Sequence, residues 1–357
     1  MKVIAATKSY EDWMRSRTHI LEADLRAKHE QMKGDLFLFF RGTFFRWAQL
    51  WPDICADLST APKVLCSADL HVGSFGTWRD AEGRLCWGIN DFDESYPLPY
   101  TNDLVRLATS LKMVIEAEDL HIGLKDGCEA ILAGYRKCLK EGGCPIVLAE
   151  HEVALEKLGM DVVPQTDDFW KKLLAFPVVT RSTPNDAKRL LAKVLPDPNL
   201  DFKIVRRTAG LGSLGQQHFV AIAKCHGAYV AREVKAMVPS AIFWAHGDAN
   251  GRHSYYEKTI SSAIRSRDPF QRISGTWLIR RLSPDSNPID IDHLPKERDE
   301  ERLLQAMGCE VANVHLGTKR QAKKILRDLS LKKSNWLRSA AKDMAKIMEH
   351  EWRSFKK

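Results

Sequence analysis

The segment Val64–Glu94 contains two short apolar runs, and each run is followed directly by ionisable side chains. Asp69 and His71 follow the first run, and Asp91 and Asp93 follow the second. Apolar runs of this length, bounded by turn residues, are typical of β-strands. Loops at strand ends carry much enzyme chemistry, because a rigid sheet holds them in place while they stay open to ligand. The segment therefore predicts strands that present a polar site at their ends.

Outside this segment the apolar residues recur mostly at helical spacing, with one region that alternates between apolar and polar residues. This combination predicts an α+β fold. Pro97 and Pro99 predict an irregular loop, and the Pro-punctuated stretch 145–200 predicts short helical pieces, linkers and a boundary between lobes. The predicted strands are 63–67, 84–89, a hairpin or small sheet over 202–231, and 276–282; the predicted helices are 9–32, one beginning near Thr101, 124–140, 255–265, and 296 to the end.

Composition limits the class of protein and its compartment. With 44% hydrophobic residues, the 357-residue chain can bury a substantial core. It has no apolar run near the ~18 residues of a membrane span, and its first residues lack the apolar region of a signal peptide. The eight cysteines are scattered without a C-x-x-C pair, which is typical of reduced thiols. We therefore expect a cytoplasmic protein that does not enter the membrane.

The net charge of +8 is concentrated at the C-terminus. Residues 319–357 contain 13 Lys or Arg and 4 Asp or Glu, a balance of +9, so residues 1–318 sum to −1. The body of the protein is therefore not a general polyanion binder. The basic tail predicts either a solvated helix face or a contact with an acidic partner or nucleic acid.

Asp69-x-His71 and Asp91-x-Asp93 admit two functional interpretations and a structural one. Carboxylates are the ligands that Mg²⁺ and Mn²⁺ prefer. One acid can instead position an attacking hydroxyl while another holds the metal, as in phosphoryl transfer. In the structural interpretation the acids cap turns and pair with Arg41 or Arg46, which lie in an apolar segment. The combination of the two motifs favours function.

A glycine-rich motif lies far downstream, at 210–215, with the sequence GLGSLG. A dinucleotide-binding fold requires a helix at the third glycine, but GQQHFVAIAKC continues as a strand, which argues against that fold. Glycines between two strands are typical of a kinase-type loop that brings backbone N–H groups close to phosphates. Lys235 ends the next predicted strand, where it would serve as a phosphate-holding cation. The predicted phosphate-binding residues of the loop are Gly210, Gly212, Ser213 and Gly215.

Four motifs, FFRG, NDFDE, NDLVRLATSL and AGLGSLG, occur in this order, and their combination resembles the bacterial family called domain of unknown function 2252. The resemblance extends from about residue 25 to about residue 320. It implies a two-lobed, protein-kinase-like fold, similar to that of aminoglycoside phosphotransferases but circularly permuted, because the catalytic loops precede the glycine loop. The implied parts are a helical portion at 1–200, a sheet-rich portion at 201–285, and a helical segment with a basic tail at 286–357.

The resemblance also implies roles for individual residues, together with ATP and Mg²⁺ (or Mn²⁺) as cofactors and a phosphoryl acceptor of unknown identity. Asp69 matches the residue that orients or deprotonates the acceptor hydroxyl, with His71 and Ser74 in the same catalytic loop. Asp91 matches the metal-binding acid, with Asp93 beside it. The glycine loop and Lys235 match the phosphate-binding parts. Glu257 is the expected partner of Lys235, with Glu233 as the alternative.

Two features of the first catalytic loop leave other functions open. Ser74 occupies the position at which kinases carry a metal-binding Asn, so a nucleotide-binding pseudoenzyme that acts as a regulatory or binding module is an alternative. The D-x-H spacing of Asp69 and His71 also resembles the opening motif of metal-dependent phosphoesterases. That class needs further ligands, typically from G-D-x-x-D and G-N-H, and neither motif occurs in this chain.

Overall fold

The computed structural model describes residues 1–118, 120–151, 166–208, 210–248, 251–286 and 299–357. The fold is mixed α+β, as predicted. None of its described helices combines the length and the apolarity that crossing a membrane requires. The described helices are α1 Val3–Arg15, α2 Glu22–Gly34, α3 Leu36–Gly42, α4 Phe44–Ile54, α5 Thr101–Ala117, α6 Leu124–Glu141, α7 Leu148–His151, α8 Thr166–Leu174, α9 Asn185–Val194, α10 Ala241–Ala245, α11 Tyr256–Ser262, α12 Asp299–Leu316, α13 Ala322–Leu331 and α14 Trp336–Phe355. The strands are β1 Lys63–Cys66, β2 Phe75–Arg79, β3 Leu85–Ile89, β4 Tyr96–Pro99, β5 Phe202–Arg206, β6 His218–Cys225, β7 Ala228–Ala236, β8 Arg272–Ser274 and β9 Trp277–Leu282.

The helical body is built around α5, which is buried on nearly every side. Helices α6, α12 and α14 pack against it, and α6 and α12 cross closely. Small residues allow this crossing: a Cβ atom on Gly134 of α6 would lie 1.9 Å from the carbonyl oxygen of Gln305 on α12. The basic C-terminal segment contributes its apolar face to the same core, so it is part of the body.

The sheet-rich part is one antiparallel sheet with the strand order β5-β6-β7-β9-β8. Alternating side chains of β6 point to opposite faces, as the period of two requires. Phe219, Ala221 and Ala223 pack with helix α9, whereas Val220 and Ile222 pack with α8. Both faces are therefore covered, which explains why strand β6 is apolar along most of its length.

Several predicted elements differ from the observed ones. The helix expected over 9–32 is two helices, α1 and α2, separated by residues 16–21. The loop expected at Pro97 and Pro99 is strand β4, which pairs with β1 in a two-stranded sheet where proline remains tolerated. The stretch expected to be linkers before residue 200 contains α9. Of the stretch 145–200, residues 152–165 lie outside the described residues, as do 287–298 of the proposed third portion.

Candidate active site

Asp69 lies in a tight turn directly after strand β1. Ala68 has a φ of 71°, in the left-handed region that an alanine rarely adopts. Asp103, at the start of α5, holds this turn by accepting hydrogen bonds from the backbone N–H of Ser67 at 2.9 Å and of Ala68 at 3.0 Å. His315 of α12 contacts the same Asp103 carboxylate at 3.2 Å. The strained turn is therefore fixed by two helices of the body, and it presents Asp69.

The carboxylate of Asp69 is oriented by Arg106, which sequence reasoning missed. Arg106 Nε donates to Asp69 Oδ1 at 2.8 Å, and a second guanidinium nitrogen also donates to that oxygen. Arg106 is completely buried, and its guanidinium lies 4.0 Å from the ring centroid of Phe40 and donates to the Phe40 carbonyl. The signal in the sequence was an arginine on the apolar face of a helix, because such a charge requires a partner.

His71 and Ser74, the other two residues of the predicted catalytic loop, have different positions. His71 is buried and faces the cavity described below, and its Nδ1 has no hydrogen-bond partner. Burial, with Arg41 and Arg106 nearby, lowers the pKa of His71 well below its usual value, so the ring is neutral. The Ser74 hydroxyl is turned into the loop, where it accepts from His71 N at 3.1 Å and lies 3.4 Å from the Asp69 carbonyl. Ser74 braces the loop and does not line the cavity.

The second acidic loop follows strand β3 and is tied to the first. The backbone N–H of Asn90 donates to the Ser74 carbonyl at 3.0 Å. Asp91 is exposed and lines the cavity, but the protein around it still displaces water, and this desolvation, with Asp93 nearby, raises the pKa of Asp91 to about 6. Desolvation also acts to raise the pKa of Asp93, but Lys235 outweighs it and the pKa is lowered. Two neighbouring carboxylates thus compete for the positive charge available here.

Glu94 continues this loop. Desolvation raises its pKa to about 8, and its carboxylate accepts a hydrogen bond from the backbone N–H of Ala241 at 2.6 Å. It therefore anchors the short helix α10 to the acidic loop.

Lys235 reaches the acidic loop from strand β7, but its partner is not the one predicted. Its ammonium group pairs with the Asp93 carboxylate. Glu257 instead accepts a hydrogen bond from the backbone N–H of Ile273, so the expected Lys235–Glu257 pair is wrong for the described residues. The alternative, Glu233, is completely buried and pairs with Arg207 and Arg280. The sequence could not identify this partner, because spacing along the chain does not fix which carboxylate a lysine side chain contacts.

The glycine loop is docked onto the N-terminal helices. Gly210 and Gly215 have φ values of 77° and 97°, which favour glycine, and a short 3₁₀ turn lies between them. The backbone N–H of Leu21 donates to the Gly215 carbonyl at 2.7 Å. Lys28 Nζ donates to the Gly212 carbonyl at 3.1 Å. Sequence reasoning missed Lys28, because it is 184 residues from its partner.

Most of the predicted site residues meet at one cavity of about 300 Å³ between the sheet and the helical body. Of the predicted site residues, Ser74, Gly215 and Glu257 do not line it. The predicted residues that do line it are Asp69, His71, Asp91, Asp93, Gly210, Gly212, Ser213 and Lys235.

The donor set suits a hard divalent cation. Asp91, Asp93 and the Asn90 side chain all line the cavity and offer oxygen atoms, which Mg²⁺ and Mn²⁺ prefer. Desolvation and the neighbouring Asp93 raise the pKa of Asp91, and a bound cation would act against both effects. A separate group, Cys66, Asp103 and His315, brings three ligand-type atoms together in the core of the body, away from this cavity. That group is the hydrogen-bonded support of the Asp69 turn.

The fold and the cavity define a mixed α+β protein with a polar cleft between a sheet and a helical body. Residues 20–195, which are 176 of the 357, match the model of the family described as "Uncharacterized protein conserved in bacteria (DUF2252)". The chain is similar to this family over both acidic loops, whereas the glycine loop and Lys235 lie outside the matched residues. A search of the curated proteins and a search of the solved structures found no match.

Proposed function

We propose that the protein is a kinase-like, circularly permuted phosphotransferase that binds Mg–ATP in this cavity and transfers its γ-phosphoryl group to an acceptor hydroxyl. One observation carries the proposal. Asp69, Asp91 and Asp93 line the same cavity as Gly212 and Lys235, although more than a hundred residues separate the two groups in the chain. Kinase-type phosphoryl transfer needs acids on one side of the phosphates and a glycine loop with a lysine on the other side.

Each residue has a role that its contacts support. Asp69 would accept the proton of the acceptor hydroxyl, since Arg106 engages Oδ1 and Oδ2 has no hydrogen bond from a described residue. Asp91 and Asp93 would hold Mg²⁺ or Mn²⁺, which supplies positive charge against the transferring phosphoryl group. Lys235, Arg207 and Arg280 line the sheet side of the cavity and would face the phosphates.

The pseudoenzyme alternative rests on two observations. The Ser74 hydroxyl is occupied within its own loop, and Lys235 is paired with Asp93, one of the proposed metal ligands. Metal binding would have to compete with this pair. The phosphoesterase alternative gains no support: among the described residues, the one group of three clustered ligand-type side chains lies in the core, not at the cavity. We propose that the protein works in the cytoplasm, where its eight free cysteines would stay reduced.

A thermal-shift titration tests the proposal. Wild-type protein is heated with ATP or ADP, with and without Mg²⁺ or Mn²⁺, and compared with Asp91→Asn and with Asp343→Asn, an exposed acid on α14 as control. A nucleotide at a hundredfold excess over Kd stabilises the folded state by about 2.7 kcal/mol. We expect a metal-dependent shift in wild type and Asp343→Asn, and its loss in Asp91→Asn.

The remaining outcomes separate the alternatives. If no nucleotide shifts the melting temperature with either metal, the kinase-like proposal is wrong. Binding without ATP turnover, with turnover restored by Ser74→Asn, would support the pseudoenzyme alternative. Hydrolysis of phosphodiesters without any nucleotide would support the phosphoesterase alternative.

A further inference from the structure

The cavity extends beyond Asp69 to the first four helices. The residues that line it there are aromatic and cationic, in contrast to the acidic loops. Tyr10, Lys28, Arg41, Phe44 and Phe45 line it, and we call these five residues the N-terminal end of the cavity. They come from α1 to α4, whereas the glycine loop and the cations around Glu233 come from the sheet. This end therefore forms the helical wall of the cavity, which meets the glycine loop through the contact of Lys28 with Gly212.

Two cations at this end lack a carboxylate partner. Lys28 is 6% exposed, and its described polar contact is the Gly212 carbonyl, which leaves two of its three N–H donors for a ligand. Arg41 Nε is buried without a hydrogen-bond partner, and its guanidinium lies 5.7 Å from the centroid of Phe37. Neither side chain forms an ion pair with any described residue. Enclosed, unpaired charges are costly, so these two indicate a bound anion.

The acids nearest this end are already engaged. Asp69 is paired with Arg106, and Glu94 accepts from the N-terminus of α10. Glu11, behind Lys28, is paired with His29. A cationic acceptor would therefore find these carboxylates engaged and, beside it, two cations that form no ion pair with a described residue, which is an unfavourable electrostatic environment.

From these contacts we infer that the acceptor is a small hydroxyl compound carrying a phosphate or carboxylate group, with Lys28 and Arg41 as the ligands of that anion. The inference rests on the proposed phosphotransferase function. The carbon skeleton would pack against Tyr10 and Phe45, whose rings stack at 4.5 Å. The acceptor hydroxyl would then point to Asp69.

The reaction is balanced without a further reagent. The acceptor oxygen forms a bond to the γ-phosphorus of ATP, and the bond from that phosphorus to the β,γ-bridging oxygen breaks. ADP leaves with the electron pair of the broken bond. The hydroxyl proton passes to Asp69. The anionic group at Lys28 and Arg41 stays unchanged and serves only to hold the acceptor in place.

Calorimetric titrations test this subsite separately from the nucleotide. The protein is saturated with Mg²⁺ and the non-hydrolysable analogue AMP-PNP, and then titrated at constant ionic strength with sodium phosphate, sodium glycerate, glycerol or ethanolamine. The variants are Arg41→Gln, Lys28→Gln, and Arg41→Lys, which keeps the charge if Arg41→Gln fails to fold. Arg26→Gln is the matched control, because Arg26 is exposed on the same helix as Lys28.

We expect phosphate or glycerate to bind, the stronger of the two identifying the anion class, while glycerol and ethanolamine do not. Arg41→Gln and Lys28→Gln should weaken anion binding about tenfold or more, the usual effect of losing a hydrogen bond to a charged group. The affinity of Arg41→Gln for AMP-PNP should change by about twofold or less, and Arg26→Gln should match wild type. No anion binding, preferential ethanolamine binding, or a loss of AMP-PNP affinity in Arg41→Gln equal to its loss of anion affinity would each overturn the inference.

A second titration, with inorganic phosphate and no nucleotide, separates the two proposals. If wild type fails to bind AMP-PNP but binds phosphate in an Arg41-dependent manner, the anion subsite stands and the phosphotransferase function fails. If AMP-PNP binds and phosphate does not, the nucleotide site stands and the anion subsite fails.

Discussion

Arg106 is the residue on which the proposed base most depends. It is completely buried, and three aromatic rings, those of Phe40, Phe44 and Trp47, lie within 5.0 Å of its guanidinium carbon. Its removal would leave the carboxylate of Asp69 without its partner inside the protein. Breaking a buried pair from one side typically costs about 3–5 kcal/mol.

We therefore expect Arg106→Met to lower the free energy of unfolding by about that amount, as measured by urea denaturation. Arg106→Lys should lose less stability, since it keeps the charge but not the two hydrogen bonds that Arg106 donates to Asp69 Oδ1. Glu116→Gln, at an exposed position of the same helix, serves as control and should change stability by about 0.5 kcal/mol or less. Equal stability of Arg106→Met and wild type would contradict an orienting role.

The ion pairs of Glu233 should make part of the free energy of unfolding sensitive to acid. Burial alone would raise the pKa of Glu233, but Arg280 and Arg207 outweigh it and hold the pKa well below 4.5. Because the folded-state pKa is depressed, this pair stabilises the protein fully above about pH 4.5, and the stabilisation is lost as the pH falls through the folded-state pKa.

Glu233→Gln should thus destabilise the protein by about 3 kcal/mol or more near pH 7, and the difference from wild type should shrink steadily below pH 4.5. Urea unfolding between pH 3 and pH 7 measures this convergence. Glu82→Gln, an exposed acid, should show no such trend. A difference that stays constant with pH would mean that Glu233 is not ionised in the folded protein.

Sequence reasoning found residues that line the cavity where the evidence was local. Asp69 and Asp91 follow apolar runs, and the glycine loop has a short, recognisable pattern. It missed Arg106 and Lys28 because their contacts join residues 37 and 184 positions apart. It also chose the wrong partner for Lys235. Several acidic residues could have met this side chain, and only the packing of the folded chain determines which of them does.

At the scale of elements, the crossing of α6 and α12 sets the position of His315 and so supports the Asp69 turn. The crossing depends on a glycine from each helix. A Cβ atom on Gly308 would lie 2.0 Å from the carbonyl oxygen of Ile131, and one on Gly134 would meet Gln305. Backbone atoms cannot move aside as a flexible side chain can, so the helices would have to separate.

Gly308→Ala should therefore lower the free energy of unfolding by about 3 kcal/mol, at the upper end of typical overpacking, despite the better helix propensity of alanine. Gly34→Ala is the control, because no atom lies within 4 Å of the added Cβ at the end of α2. It should be neutral or slightly stabilising. If Gly308→Ala melts at the wild-type temperature, the crossing is looser than described.

Elements with strong periodicity were predicted well, and those governed by tertiary contacts were not. The helix at 124–140 and the strand near 276–282 agree with α6 and β9. The break at 16–21 was missed because the helical pattern continues through it; there Leu21 instead donates its N–H to the glycine loop. Strand β4 was missed because prolines disfavour strands except at an edge, and edge position is not visible in a sequence.

At the scale of the whole molecule, the α+β class follows from the pattern of elements, but the placement of the C-terminus does not. The net charge of +9 over 319–357 left open whether this surface is a solvated helix face or a contact for an acidic partner or nucleic acid. In the structure, Leu337, Met344 and Met348 are fully buried in the main core, and Arg46 pairs with Glu351 at 2.6 Å. The charges lie on the outer face of helices whose inner face holds the body together, as amphipathic helices commonly do.

A test of the tail as a polyanion-binding surface must therefore change its charge without removing it. Truncation after residue 318 would expose the core face of α5 and remove the partner of Arg46, so we expect a protein without a cooperative melting transition. Replacing the exposed residues Lys323, Lys324 and Arg327 by Glu should leave the melting temperature within a few degrees of wild type, because surface substitutions seldom exceed about 0.5 kcal/mol each.

If the surface binds nucleic acid, wild type will bind DNA or RNA with an affinity that falls steeply with salt, and the triple variant will lose that affinity. Equal, salt-insensitive binding by both proteins would assign the basic residues to solvation alone. A cooperative melt after truncation would show instead that the body folds without α13 and α14.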